Sequence, residues 1–195
     1  MDKQKRLSKL LTEKRISYNP DGDFLEGNRL RGLYELIRHW FTSDFVIVEI
    51  GSCEGSSTEL FALTCKLVYA IDPWDEVAKP NNATELQMSK QSEERCRERI
   101  SVYDNVKILK GFAEKEVVNF EDKSLDAVYI DGAHDADSVA QDINLWLPKI
   151  KNNGIMCGHD WRYAPIRNVI IKKFGNADRT YKDGSWAVNL ENEVF

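Results

Sequence analysis

A mostly parallel α/β sheet covered by helices on both faces is the fold class this sequence predicts, on three observations. Short apolar and β-branched runs recur at residues 46–50, 67–71, 106–109, 125–130 and 154–157. They lack the polar alternation of a strand that faces water, so they read as strands buried on both sides. Helix-period segments lie between them, and strands alternating with helices imply right-handed crossovers and parallel pairing. The chain then closes on "RTY", the turn "DGSW" at 183–186 and "WAVNL", a strand, turn and strand that put an antiparallel edge on the sheet.

Taken in order, residues 25–41 carry Leu30, Leu33, Ile37, Trp40 and Phe41 at helical spacing, an amphipathic helix leading into the first strand. After that strand, "SSTE" from Ser56 reads as a capping box, with Ser56 and Glu59 satisfying amides at a helix start. The longest irregular stretch, "PWDEVAKPNNAT" at 73–84, follows the second strand and has the length of a functional loop. Ala136, Ala140, Ile143 and Leu147 form a helical stripe that Pro148 should end. Pro165 suits the first turn of a helix containing Ile166, Val169, Ile170 and Phe174. Internal repeats and low-complexity segments are absent from the sequence.

Composition bounds the function. The 195 residues are 42% hydrophobic, enough for one well-buried core and a single domain over 1–195. A net charge of −5, from 27 basic and 32 acidic residues, offers no broad attraction to a polyanion, so nucleic acid is an unfavoured partner and a small molecule a favoured one. The basic opening at 1–23 reads as a solvated helical extension. No apolar run approaches a membrane span of ~20 residues, and the N-terminus lacks a signal-peptide core, so a cytoplasmic location is expected. Four widely spaced cysteines, Cys53, Cys65, Cys96 and Cys157, fit reduced thiols better than a disulfide frame or zinc site.

The corner after the first strand, "VEIGSCEGSST", indicates the ligand class. In an open α/β sheet, ligands sit beyond the carboxyl ends of the strands where strand order reverses. A dinucleotide site would place glycine where Cys53 stands, so that a pyrophosphate could approach, and no GK[ST] follows to make a P-loop. A phosphate-free ligand needs only small residues for backbone contact and a carboxylate before the turn, which Glu49 supplies. Asp72, 21 residues after Gly51, stands where a carboxylate bridges ribose hydroxyls. A zwitterionic nucleoside of the kind of S-adenosylmethionine satisfies both acids.

The blocks "FLEGNRLRGLYELI", "VEIGSCEGSST", "VYAIDPW", "AVYIDGAHDADSVAQDINLWLPKI", "GIMCGHDW" and "GSWAVNL" resemble, in order and spacing, the class I S-adenosylmethionine-dependent methyltransferases. They are most similar to the small group related to cephalosporin-hydroxylase and macrocin-O-methyltransferase proteins. The resemblance covers residues 24–190 and implies a Rossmann-like, seven-stranded, mostly parallel sheet of order 3-2-1-4-5-7-6 with strand 7 antiparallel. It implies that Glu49, Gly51, Ser52, Cys53, Gly55 and Ser56 hold the methionine end of the cofactor and Asp72 the ribose. Trp74 or Phe112 would flank the adenine beside Ala113, and Asp131 would lie against the cofactor.

Methyl transfer from a sulfonium is an in-line displacement, so the acceptor must be positioned and, if it is a hydroxyl, deprotonated. Candidates cluster in "DGAHD" and "GHDW": Asp131, His134 and His159 are the catalytic expectations, and His134 and His159 are equally placed as the base. His39, beside Trp40 on the first helix, reads as structural. In metal-dependent relatives, carboxylates at the ends of strands four and five bind a divalent ion, and Asp131, His159 and Asp160 occupy those places. Histidine suits manganese or iron better than magnesium. Many relatives carry an acid where this chain has Ala133, a departure that removes one catalytic carboxylate.

These readings converge on a methyltransferase acting on oxygen of a small sugar, polyketide or phenolic acceptor, with S-adenosylmethionine as the expected cofactor and either a divalent metal, magnesium or manganese, or no metal at all beside it. The second reading is a non-catalytic S-adenosylmethionine-binding or partner-binding module on the same fold. With 195 residues no added cap domain is expected, so the acceptor site is either open or completed by a second subunit in a homodimer.

Overall fold

The carboxyl ends of five strands lie abreast, joined by main-chain hydrogen bonds that continue past the strands themselves. Gly111 N donates to Asp72 O (3.1 Å), Gly51 N to Ile71 O (2.8 Å), Asp131 N to Ile50 O (2.8 Å) and His159 N to Ile130 O (3.0 Å). This row is the top of a seven-stranded sheet in a computed structural model that describes residues 30–74 and 83–192. The basic extension at 1–23, the start of the helix expected over 25–41 and residues 75–82 of the irregular stretch lie outside the described residues.

In chain order the elements are α1 (Arg31–Trp40), β1 (Val46–Ile50), α2 (Ser56–Thr64), β2 (Leu67–Asp72), α3 (Ala83–Ile100), β3 (Val106–Lys110), the single turn α4 (Ala113–Glu116), β4 (Leu125–Ile130), α5 (Ala136–Trp146), β5 (Ile150–Gly158), α6 (Ala164–Phe174), β6 (Arg179–Thr180) and β7 (Trp186–Asn189). Strand order is β3-β2-β1-β4-β5-β7-β6, with β7 antiparallel to both β5 and β6 and the remaining pairs parallel. Both the order and the antiparallel edge match expectation.

Alternation along the strands divides the core. Val48, Ile50, Val128, Ile130 and Met156 pack with Val139, Ile143 and Trp146 of α5 and Ile166, Ile170 and Phe174 of α6. Ile47, Ala127, Tyr129 and Cys157 point the other way, against Leu33, Leu36 and Ile37 of α1 and Leu60 and Phe61 of α2. Both faces are therefore covered, which is why these strands carry almost no polar alternation. Glu49 sits on the α1 and α2 side with no exposure, a buried acid among hydrocarbon.

Three local expectations are corrected. Ser56 and Glu59 form no capping box: the N-cap of α2 is Gly55 at φ 76°, without a side-chain cap, and Glu59 instead accepts from Tyr103 Oη and Arg99. The buried stripe of α5 runs through Val139, Asp142, Ile143 and Trp146 rather than Ala136, Ala140 and Leu147, because the large rings, not the alanines, fill the space over the sheet. Strand β5 begins four residues earlier than its apolar run. Its pairing with β4 jumps from Leu125↔Ile150 to Ala127↔Ile155, and this bulge carries the polar Lys151, Asn152 and Asn153 that hide a strand from a hydropathy reading. Among the described residues, no helix is long and apolar enough to cross a membrane.

Candidate active site

The turn after β1 is built from backbone that tolerates no bulk. Gly51 has φ 90°, and a Cβ there would lie 2.2 Å from Asp131 O, so glycine is required both by conformation and by the passing of β4. Cys53 also takes a left-handed conformation, φ 46°, a strained state for a side-chain-bearing residue. What holds it is Asp72, whose Oδ2 accepts from Cys53 N and whose Oδ1 accepts from Trp74 N, both at 2.8 Å. Burial pushes the Asp72 carboxyl up, against the two amides that pull it down. Trp74 closes the latch: its indole N–H donates to Cys53 O at 2.9 Å, and its ring is 3% exposed, packed with Cys96 and Ile100. Trp74 thus anchors the turn from beneath. Cys53 is exposed as a residue, yet burial of its thiol, with the charge of Asp72 beside it, pushes the thiol up.

Behind the turn, Thr58 Oγ1 of α2 donates to Glu49 Oε2. The other carboxylate oxygen of Glu49 and the hydroxyl of Ser52 are buried without a well-aligned hydrogen bond among the described residues, although the Ser57 and Ser52 hydroxyls lie close enough to Glu49 to pull its titration down. An orphaned buried polar atom costs about 1–3 kcal/mol, and here two of them lie side by side at the turn after β1. Burial pushes Glu49 up to about 7, against the Ser57 and Thr58 hydroxyls and aided by the charge of Asp131. A polar ligand group such as an ammonium would satisfy both orphans, so these residues fit the methionine end of an adenosyl cofactor. Phe112 is half-buried and caps α4, with Lys115 Nζ 5.0 Å from its ring centre, and Ala113 is buried behind it. Gly55 and Ser56 begin α2 at the far side of the turn.

One strand over, four titratable side chains meet. Asp160, at φ 65°, accepts from His134 Nδ1 at 2.5 Å through Oδ2 and from His159 Nδ1 at 3.1 Å through Oδ1. Asp131 Oδ1 lies 3.8 Å from His159 Nδ1. Asp160 is therefore held well below the usual carboxylate range, by His134 first and His159 second. Asp131 behaves oppositely: burial raises it to about 7 despite the opposing charge of His159. Burial would lower His159, but its bond to Asp160 and the charges of Asp131, Asp160 and Asp183 outweigh that and raise it to about 9. His134, with its side chain 66% exposed, is raised mainly by its bond to Asp160.

Asp131, His134, His159 and Asp160 are thus brought together, while His39 lies apart on α1, beside Arg179 of β6. The ligand atoms of Asp131, His134 and Asp160 fall within 4.8 Å of one another, a grouping that contains His134 where the sequence suggested His159. Asp135 serves as N-cap of α5, accepting from Ser138 N at 2.9 Å. Sequence reasoning missed Thr58, read only as part of a helix start, and Asp183, read only as a turn residue. A hydroxyl one helical turn into α2, on the face of the strand acid, is the signal that would have found the first.

A family model for methyltransferase domains matches residues 48–161, more than half of the chain. No curated protein matches the chain in sequence. Among solved structures, the fold is similar to a candidate caffeoyl-CoA O-methyltransferase from Staphylococcus aureus, at TM-score 0.58 and 19% identity over 94% of this chain and 91% of that one. It is similar to a candidate methyltransferase from Streptococcus mutans in complex with SAH, at TM-score 0.57 and 10% identity over 82% and 95%. An rRNA methylase from Streptococcus thermophilus shares it at TM-score 0.57 and 11% identity over 80% and 90%, so the fold alone does not choose the acceptor. The chain spans only 22% and 50% of the length of two further solved structures that it matches. By the match over more than half of its length, this chain belongs to the methyltransferase-domain family.

Proposed function

We propose that this protein methylates an oxygen of a small-molecule acceptor such as a sugar, polyketide or phenol. The observation that carries the reading is the pairing of His134 with Asp160, one strand away from the orphaned carboxylate of Glu49. With Asp160 accepting from Nδ1–H, His134 presents Nε2 as the proton acceptor. His159, held cationic at neutral pH between Asp131 and Asp160, is a poor base and a good electrostatic support for charge developing on the acceptor oxygen. The greater exposure of His134 and the carboxylates on both sides of His159 support this order for the two histidines.

The cofactor supplies an electrophilic methyl group. Toward it, Glu49 and Ser52 would bind the amino end, Asp72 would accept from the ribose hydroxyls, and Phe112 with Ala113 would line the adenine. Cys53, Gly51, Gly55 and Ser56 would contribute backbone and small-residue contact. His134 takes the acceptor proton as the oxygen attacks.

A second reading is favoured by the 4.8 Å grouping of Asp131, His134 and Asp160. Two carboxylates and an imidazole suit manganese or iron better than magnesium, and a divalent ion there would acidify and orient the acceptor hydroxyl. His134 would then be a ligand rather than the base.

The test is titration calorimetry with S-adenosylhomocysteine, with and without manganese, followed by turnover on an acceptor panel. Asp72→Ala should weaken cofactor binding by about 1–3 kcal/mol. His134→Ala should abolish turnover far more than binding; in the metal reading it abolishes manganese binding as well. Binding without turnover on any acceptor would favour a non-catalytic module.

A further inference from the structure

The turn between β6 and β7 carries an acid that no part of the proposed reaction uses. Asp183 Oδ1 accepts from Ser185 N at 2.9 Å within its own turn. Its Oδ2 accepts from Leu33 N, 150 residues away, at 2.8 Å. Leu33 is the third residue of α1, whose N-cap, Leu30, offers no side-chain cap. A carboxylate at that place satisfies an amide the helix leaves open and complements its positive end. Gly32 makes room for it, since a Cβ there would stand 2.0 Å from Asp183 Oδ1.

The opposite side of the same turn is the wall behind the cluster. Gly184, at φ 104°, would bring a Cβ to 3.5 Å from His159 Nε2. Gly184 O accepts from Trp161 N at 2.9 Å, and Trp186 Nε1 donates to His159 O at 2.8 Å. His159 and the two residues after it are thus fastened on both sides to a hairpin that Asp183 fastens to α1. Gly158, whose Cβ would meet Ile130 O at 2.5 Å and the Trp186 ring at 2.9 Å, keeps β5 pressed to the same wall. The charge of Asp183 also reaches Tyr129, Asp131 and His159.

We propose that Asp183 is a positioning residue: by clamping the β6–β7 turn to the start of α1, it holds His159 in register with Asp160 and Asp131. Its importance for turnover rests on the reading of that cluster as the reacting end, whereas the clamp itself is readable without an acceptor.

The experiment uses the full chain labelled with nitrogen-15, in which three histidines give three sets of ring signals. Asp183→Ala should move the His159 ring signals by more than a line width. Gly32→Ala, which displaces the carboxylate sterically while leaving Asp183 unsubstituted, should do the same. The double variant should match Asp183→Ala alone, because the methyl then meets no carboxylate. Asp126→Ala removes a carboxylate that holds Val46 N and Lys151 at the other end of the sheet, and should leave the His159 signals in place. Should Asp183→Ala fail to fold, Asp183→Asn and Gly32→Ala carry the same comparison. Unmoved His159 signals in folded variants, or fully additive shifts, would overturn the clamp. Moved signals with unchanged turnover would keep the clamp and remove His159 from the reaction.

Discussion

At the end of β1, the residues around Gly51 are held by backbone amides and by side chains with almost no exposure; at the ends of β4 and β5, four titratable side chains hold one another at the rim. The contrast shows in the carboxylates. Glu49 is pushed up to about 7 chiefly by burial, whereas Asp160 is pulled down by two histidines. A desolvated acid with an open valence waits for a cation or a donor, while a paired acid orients its partners. The buried acid and the paired acid are thus separated by one strand. Asp131 alone belongs to both, through its carbonyl against Gly51 and its carboxylate beside His159.

The change expected to do most damage attacks that shared point. Gly51→Ala puts a methyl onto Asp131 O, a backbone atom that cannot swing away, and should cost about 3 kcal/mol or more of stability in chemical denaturation. A cost below about 1 kcal/mol would show that the two regions are not in contact there. Asp160→Asn should separate the regions: turnover should fall ~10²-fold or more, the scale of acid–base catalysis, while calorimetry finds S-adenosylhomocysteine affinity within about twofold of the parent. Equal losses in both would mean the cluster also shapes the cofactor crevice.

Glu49→Gln probes the buried side, and should weaken cofactor affinity by about 1–3 kcal/mol with the cluster intact. The same residue gives a pH dependence. With a value of about 7 in the protein alone and a lower one once a cation pairs with it, Glu49 loses its proton on binding. Affinity should therefore be full above pH 7 and weaken as pH falls below it, and Glu49→Gln should flatten that slope. A slope of opposite sign would remove the ammonium from this position.

The smallest effect isolates burial from function. Asp142, buried on α5, is raised to about 7 by desolvation first and by Glu114 and Asp135 second. Its folded value lies above its unfolded one, so ionisation erodes stability as pH rises from about 4 through 7. Asp142→Asn should then raise the melting temperature at pH 8, by an amount equivalent to about 1 kcal/mol, and change it little at pH 4.

The strands and the corner were legible because their signals are local. Runs of apolar residues mark strands buried on both faces, and a glycine turn after the first of them is written in consecutive residues. The β5 bulge was not legible, since Lys151 to Asn153 are polar and only the register against β4 makes them strand. Nor was the false capping box: Ser56 and Glu59 have the right spacing, but Tyr103 and Arg99, from elsewhere in the chain, take the glutamate.

By itself the sequence determined the sheet order, through the resemblance it carries, and the acids Glu49 and Asp72 at adjacent strand ends. It also determined that Asp131, His134, His159 and Asp160 follow two neighbouring strands. Tertiary structure alone decided which histidine is open and which is wedged between carboxylates, that Trp74 is an anchor, and that Asp183 reaches Leu33. The physical reason is distance along the chain: burial, pairing and protonation depend on groups up to 150 residues apart, and no local pattern encodes how such groups meet.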